Sequence, residues 1–401
     1  MSEQLPSPAA VRHEVRVWLD ANWNPAWRGQ AQEGPDRVAW LTQVVDAGWA
    51  APQWPAEWFG RDYDDERGRI VEEEFSRVGA FGTGQDRTNL WINTLLAFGT
   101  DALKRELLPG LMRGTVNMCL LYSEPGAGSD LAGVRTRVER DGDEWVVNGQ
   151  KVWTSGAASA DYGMLIARTD WDAPKHRGLS FFFLPMKQPG VEVRPLRQVT
   201  NESHFNEVFI TDARAPAANL LGREGEGWKV LVTALSYERS VMGEGARGPR
   251  SGQAVSKQGN EPELVALARE ASKLDDPVLR QRLAQVVAWD QLNALNNARA
   301  KADVEVGSST SIMSLGKLAM SRILHESARL RTDLLGAGSL LEGADYPRSE
   351  DANFLALNAY FTSIGGGTDQ VQRNIISERV LGLPKEPEVD KDVPFRDVKG
   401  G

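Results

Sequence analysis

Residues 135–154 read RTRVERDGDEWVVNGQKVWT, and this stretch decides the fold class. Runs rich in Val and Trp flank Asp141-Gly142, a dipeptide that favours a tight hairpin turn, and Asn148-Gly149 gives a second signal of the same kind. Strand-like runs continue over 163–168, 179–184, 191–196 and 207–211, so a β domain is expected over 119–215. Upstream the texture differs. Val11, Val15, Trp18 and Leu19 recur at helical spacing, as do Leu103, Leu107, Leu108, Leu111 and Met112. Pro52, Pro55, Gly60 and Gly68 are expected to break this first region, 1–118, into short helices. Downstream, helices are expected over 227–244, 262–305 and 310–338, lengths that suit an antiparallel bundle within 216–385. A last helix should run from Asp369 to Leu381 and stop at Gly382 and Pro384. The polar stretch 386–401 reads as a flexible tail. The fold class is therefore α+β.

The chain has 401 residues, enough for two or three packed units. Its net charge of −9 argues against a nucleic-acid binder, which needs a basic face. A single cysteine, Cys119, forbids an internal disulfide and fits a reducing compartment. The opening MSEQLPSPAA lacks the basic and apolar segments of a secretory signal. The longest apolar run, Leu179 to Pro185, is far short of the roughly 20 residues that span a membrane. A cytoplasmic protein without a membrane span is expected. Eight of the 13 tryptophans precede residue 92; they read as core anchors, with the lining of an apolar cavity as the functional alternative. His13, His176, His204 and His325 show no metal-ligand spacing. Gly243-Glu-Gly245-Ala-Arg-Gly248 matches a dinucleotide fingerprint by letter only, because it follows a helix and not a strand.

Three elements carry chemistry. Tyr122-Ser123-Glu-Pro-Gly-Ala-Gly128-Ser129-Asp130 is a glycine-rich turn entering the β domain, where small residues let backbone approach a flat or anionic ligand. Trp153-Thr154-Ser155 follows, an indole beside hydroxyls that would stack on an aromatic ring and bond its edge. Ser363-Ile-Gly365-Gly366-Gly367-Thr368-Asp369-Gln370 runs three glycines into a helix start, which is either a plain cap or an anion seat made of free N–H groups.

In this order, together with Phe205-Asn-Glu-Val208-Phe, Gly225-Glu-Gly-Trp228 and Gln372-Arg373-Asn374 through Leu383-Pro384, these motifs resemble the acyl-CoA dehydrogenase family over nearly the whole chain. The resemblance implies an N-terminal helical domain, a central β-barrel-like domain and a C-terminal four-helix bundle. It implies FAD, with Tyr122, Ser123, Trp153, Thr154 and Ser155 at the flavin and Gly367, Thr368 and Gln370 at its adenosine diphosphate part. Gly128 and Ser129 would serve the cofactor loop, and Ser129 would also hold the CoA moiety. An acyl-CoA substrate and an electron-transferring flavoprotein as acceptor are implied as well.

Such an enzyme needs a carboxylate base for the proton next to the thioester carbonyl and donors for the carbonyl oxygen. Many relatives carry the base as Glu just before the Gly-Thr pair, where this chain has Gly366. Another branch carries it on the first bundle helix, and Leu235-Ser-Tyr-Glu238-Arg239 resembles that pattern. Glu238 is thus the expected base, with a solvated charge pair as the bland alternative. Gly366 would serve as a backbone donor, and Arg239 would sit on the substrate side or anchor the helix. The three glycines leave room for a branched or bulky acyl chain.

The family's Arg-x-x-Phe-Gly run is missing; Arg247, Arg250, Arg280 or Arg282 would have to substitute, with Arg282 chosen. The glycine pair near the third bundle helix is reduced to Gly336-Ala337-Gly338. Both departures resemble relatives that pair two unlike subunits, so a heterotetramer stands beside a homotetramer. An oxidase or monooxygenase on the same fold, and a non-catalytic partner subunit, are the alternative functions.

Overall fold

In the computed structural model, which describes residues 5–28, 35–242, 263–305, 313–343 and 345–398, the chain opens with six helices. They are α1 (Pro8–Asn22), α2 (Pro35–Asp46), α3 (Asp65–Val78), α4 (Gln85–Thr88), α5 (Leu90–Phe98) and α6 (Asp101–Arg113). Ser7 starts α1 by accepting the Ala10 N–H at 3.2 Å, with Pro8 in the first helical position where its missing N–H costs nothing. Asp64 and Thr100 cap α3 and α6 in the same way. Gly68 does not break the chain as the sequence led us to expect. It lies buried inside α3, where a Cβ would stand 3.0 Å from the Gln53 side chain, so its small size serves close packing.

The tryptophans of this region are core anchors. Trp40 is fully buried, its ring centroid 5.4 Å from Trp18 and 4.8 Å from Trp23, and its indole N–H donates to the Phe81 carbonyl at 2.8 Å. Beneath them α1 is clamped to α3 by a buried carboxylate: Glu74 receives Arg12 at 2.6 Å, Arg16 at 2.8 Å and Arg77 at 2.7 Å. The Arg16 bond, with Arg77 and Arg12 beside it, holds Glu74 down at about 2 against the opposing pull of burial.

The sheet comprises β1 (Met118–Leu121), β2 (Arg137–Asp141), β3 (Glu144–Ser155), β4 (Tyr162–Arg168), β5 (Leu179–Pro185), β6 (Val191–Leu196), β7 (Phe205–Pro216) and β8 (Leu220–Leu221). The strand order is β6-β7-β3-β2-β4-β5-β8, with β1 parallel to β4. The hairpin at Asp141-Gly142 forms as the sequence predicts. Asn148-Gly149 does not make a turn. It lies within β3 at a register shift against β7, where a Cβ on Gly149 would stand 2.5 Å from Thr136 Oγ1. The apolar run of β5 is explained by burial on both faces. Phe181 and Phe183 pack, with Met164 and Ile166 of β4, into the core shared with the N-terminal helices, whereas Phe182 and Leu184 face a second core within the β domain. Helix α7 (Gly227–Met242) follows.

Two compact units result. The first takes residues up to Leu196, Ser203–Glu238 and Asp390 onward; the second takes Arg197–Glu202 and Arg239–Val389. The second unit holds α8 (Glu263–Glu270), α9 (Pro277–Glu305), α10 (Met313–Leu335), α11 (Pro347–Ile364) and α12 (Asp369–Ile375), the last continued by a π-helical turn over Ile376–Val380. The single helix expected over 262–305 is interrupted, because Pro277 disfavours helix in the residue before it and Asp276 caps α9 by accepting the Val278 and Leu279 N–H groups at 2.9 and 3.0 Å. Helix α11 was not foreseen. Its apolar residues spread around the axis, leaving Leu357, Tyr360 and Ile364 exposed, and this blurs the periodicity that reveals a helix. Among the described residues, no helix is long and apolar enough to cross a membrane.

The expected loose tail is corrected at its end. Phe395 is buried, its N–H donates to the Ala173 carbonyl at 3.1 Å, and the Arg168 guanidinium lies 3.3 Å from its ring centroid. Arg168 is itself fully buried and lacks a carboxylate partner among the described ion pairs; it donates to the carbonyls of Ala132, Val134 and Lys175. An aromatic face is what remains to accept its charge.

Glu74, Phe395 and Asp86, whose carboxylate accepts the Gln53 N–H at 2.9 Å, each generate a prediction. Glu74→Ala leaves three guanidinium groups around a hole and is expected to cost about 3–5 kcal/mol in urea unfolding at pH 7. In the wild type the Glu74 contribution should be complete above pH 4.5 and fade as pH falls towards 2. Asp86 has the opposite sign: burial pushes its carboxyl up to about 6, so Asp86→Asn should raise the melting temperature at pH 8 and leave it unchanged below pH 4. Phe395→Ala, which removes the ring under Arg168, is expected to destabilise by about 3–5 kcal/mol in the same assay.

Candidate active site

The glycine-rich loop after β1 is built on a buried ion pair. Glu124 and Ala127 close a tight turn by reciprocal backbone bonds of 3.0 Å each. The Glu124 carboxylate then accepts the Arg135 N–H at 2.6 Å, the Thr136 N–H at 2.8 Å and Lys151 Nζ at 2.8 Å. Lys151 is fully buried and also donates to the carbonyls of Tyr122 at 3.0 Å and Ile166 at 2.8 Å. Burial disfavours the Glu124 charge, but Lys151 and the neighbouring donors outweigh it and hold the carboxyl below its usual range. The sequence reading quoted both residues and missed their pairing. Alternation marks only the burial of Lys151, which stands at an inward position of β3 with Trp145 and Val147, and not its partner.

The pair fixes Tyr122 and Ser123 against β3. Ser123 accepts the Val152 N–H at 2.9 Å, and Tyr122 is buried with its ring edge-on to Phe181. Next along β3 the pairing with β7 slips between Lys151 and Thr154, and Trp153 turns outward. Trp153 holds a left-handed φ of 63°, rare for a bulky side chain, and its indole is 60% exposed. Such a conformation costs about 1–3 kcal/mol and gathers at functional sites. Thr154, beside it, is fully buried, and its hydroxyl has no hydrogen-bond partner among the described residues. Ser155, Gly128 and Ser129 are exposed, and a Cβ at Gly126 or Gly128 would meet nothing within 4 Å. A flat indole presented to solvent, an unsatisfied buried hydroxyl and an open glycine backbone together fit a flat heteroaromatic ring with polar edges.

In the second unit the glycine loop joins α11 to α12. Gly366 and Gly367 have φ of 66° and 86°, which only glycine adopts freely. Gln372 donates from Nε2 to the Gly366 carbonyl at 2.9 Å, while its buried Oε1 has no partner among the described residues. Thr368 accepts the Val371 N–H at 3.2 Å, so its hydroxyl caps α12, and Gln370 is exposed. Arg282, expected to serve the cofactor, is bound to Asp333 at 2.6 Å and Glu326 at 3.2 Å; it ties α9 to α10 and its charge is neutralised there. Arg280 is exposed. Glu238 and Arg239 lie on α7, Glu238 in the first unit and Arg239 in the second, and their side chains fall outside the described residues. Arg247, Arg250 and the Gly243–Gly248 fingerprint also fall outside them.

Three family models match the chain in order: the acyl-CoA dehydrogenase N-terminal domain over residues 6–115, the middle domain over 119–213 and the C-terminal domain over 225–381. The acyl-CoA dehydrogenase IpdE1 of Mycobacterium tuberculosis is 36% identical over 391 residues, covering 94% of this chain and 97% of that protein. Among solved structures, the Tcur3481-Tcur3483 steroid ACAD superposes with a TM-score of 0.70 at 28% identity over 96% of this chain and 100% of its own. The ChsE4-ChsE5 complex from Mycobacterium tuberculosis does so with a TM-score of 0.67 at 29% identity, over 96% and 100%. With all three domains matched in sequence and fold, the chain belongs to the acyl-CoA dehydrogenase family, whose members are flavoproteins, and is an acyl-CoA dehydrogenase.

Proposed function

We propose that the chain holds FAD and uses it to desaturate a bulky acyl-CoA thioester, with Glu238 taking the proton next to the carbonyl. The observation that carries this reading is the pair of neighbours on β3, an outward-facing indole at a strained φ and a buried hydroxyl lacking a partner. FAD supplies the hydride acceptor when bound. Trp153 would lie against the flavin and Thr154 would bond its edge. Tyr122, Ser123, Ser155, Gly128 and Ser129 complete that side, with Ser129 also reaching the CoA. Gly367, Thr368 and Gln370 would serve the adenosine diphosphate part. Gly366, which replaces the commoner glutamate, would offer its backbone N–H to the thioester oxygen, and Arg239 would steady the substrate side of α7. An electron-transferring flavoprotein is the acceptor that the family resemblance implies.

The substrate class follows from volume and kinship. Three glycines in a row remove side chains from the loop, and one structural relative is described as a steroid dehydrogenase. A polycyclic or branched acyl group fits both. The partner is a related but unlike subunit. Arg282 is neutralised inside its own bundle and so is taken up before it could make the family's arginine contribution to a neighbour. Leu357, Tyr360 and Ile364 offer an exposed apolar face on α11, and a structural relative is described as a complex of two named chains.

Anaerobic mixing with a panel of acyl-CoAs tests the chemistry. Wild type, alone or with its partner chain, should lose the oxidised flavin band with a bulky thioester, and Glu238→Gln should do so at least about 10²-fold more slowly. Equal rates would remove Glu238 from the role of base. Thr154→Val separates a cofactor contact from a structural one. It removes a hydroxyl that has no hydrogen-bond partner among the described residues, so thermal stability should hold or rise while flavin affinity falls on the order of tenfold. A parallel loss of stability and flavin would show that the hydroxyl is structural.

A further inference from the structure

Lys317, Ser321 and His325 follow one another at four-residue spacing on α10, so their side chains stand in a row on one face. All three engage the flanks of the glycine loop. Ser321 is fully buried, and its Oγ lies 2.7 Å from Ser363 Oγ in the last turn of α11 and 3.0 Å from Asp369 Oδ2 at the head of α12. Lys317 Nζ lies 3.2 Å from Asp369 Oδ1, and His325 Nε2 lies 2.7 Å from Ser363 Oγ. Ser363 and Asp369 bracket residues 364–368, so a single hydroxyl grips both ends of the loop.

Counting protons fixes the direction of this string. Asp369, paired with Lys317, accepts only. Ser321 has one proton and gives it to Asp369. The contact between the hydroxyls is therefore Ser363 donating to Ser321. Ser363 has then used its own proton, so His325 must donate from Nε2. The string runs from imidazole to carboxylate with every donor matched.

The loop has little else to define it. Its glycines carry no side chains, Gly366 is exposed, and Ile364 is 63% exposed. From within, Gln372 holds the Gly366 carbonyl, while the Gly365 N–H donating to Phe361 and the Thr368 cap fix only the two ends of the loop. We infer that Ser321, Ser363 and His325 are positioning residues that replace side-chain packing and set the direction of the Gly366 N–H. The inference rests on the reading of Gly366 as the donor to the thioester oxygen, an interaction that a misplacement of about 1 Å weakens steeply.

The test compares Ser363→Ala, His325→Leu and His325→Gln in the flavin-loaded protein with whatever partner it requires. Gln keeps a donor near the Nε2 position and Leu does not. Ser363→Ala and His325→Leu should lower kcat by about tenfold or more, with KM changed little, and His325→Gln should recover most of the loss. Hydrogen exchange of the peptide spanning 361–372 should quicken about tenfold in the first two variants and stay near wild type in the third. Wild-type kcat and exchange in Ser363→Ala and His325→Leu would overturn the inference, as would His325→Gln behaving like His325→Leu. If wild type turns over no acyl-CoA, the functional reading fails, and the exchange rates alone decide whether the string holds the loop.

Discussion

A lysine ammonium taken fully out of water is tolerated only when its donors find acceptors, and Lys151 meets that condition at one point in the chain. Its three acceptors come from the glycine-rich loop, from the Tyr122 carbonyl beside it and from β4. Remove the charge and the loop loses the reason for its course, because Glu124 is largely buried and its other donors are the Arg135 N–H and the N–H and hydroxyl of Thr136, all neutral. The strained turn at Trp153 begins two residues later on the same strand. The ion pair is therefore what lets β3 carry a distorted, outward-facing segment without unravelling, and the presentation of the indole and hydroxyl depends on it.

The second unit solves a related problem with hydroxyls and the partly exposed Lys317–Asp369 pair. A loop of glycines is free to take positive φ and equally free to take many other conformations. The unit restrains it from outside, by hydroxyls and a carboxylate on elements already fixed by packing. In both units flexible glycine-rich backbone is held by polar groups rooted in regular structure, which keeps the side-chain volume along it low.

The sequence revealed the order of helical and β regions because periodicity changes visibly at the hairpin of Asp141-Gly142. It offered the candidate site motifs because glycine, tryptophan and hydroxyl residues cluster in them. It misled where one signal serves two purposes. Asn148-Gly149 reads as a turn and is a bulge, since glycine answers both a need for positive φ and a need for close approach. Gly68 reads as a breaker and is a packing residue for the same reason. The pairing of Glu124 with Lys151, and that of Arg168 with Phe395, join residues 27 and 227 positions apart, and no local pattern encodes such distances. Arg282 looked available because a sequence shows a charge and not its partner; Asp333 and Glu326 lie a turn and more away on another helix.

The docking of Phe395 has a consequence for biosynthesis. Residues from Asp390 onward belong to the first unit, while the intervening 239–389 form the second, so the bundle is an insertion between two parts of one body. A nascent chain emerges from its N-terminus and presents Arg168 long before Phe395 exists. Until Phe395 is made, that guanidinium has backbone carbonyls and only the more distant Trp171 ring, 5.9 Å away, as an aromatic face. Completion of the first unit is thereby deferred until residues 239–389 of the second unit have been synthesised. Residues from Asp390 onward thus act as a seal on the first unit that can close only after the second unit has been made, and a chain that stops before Phe395 lacks it.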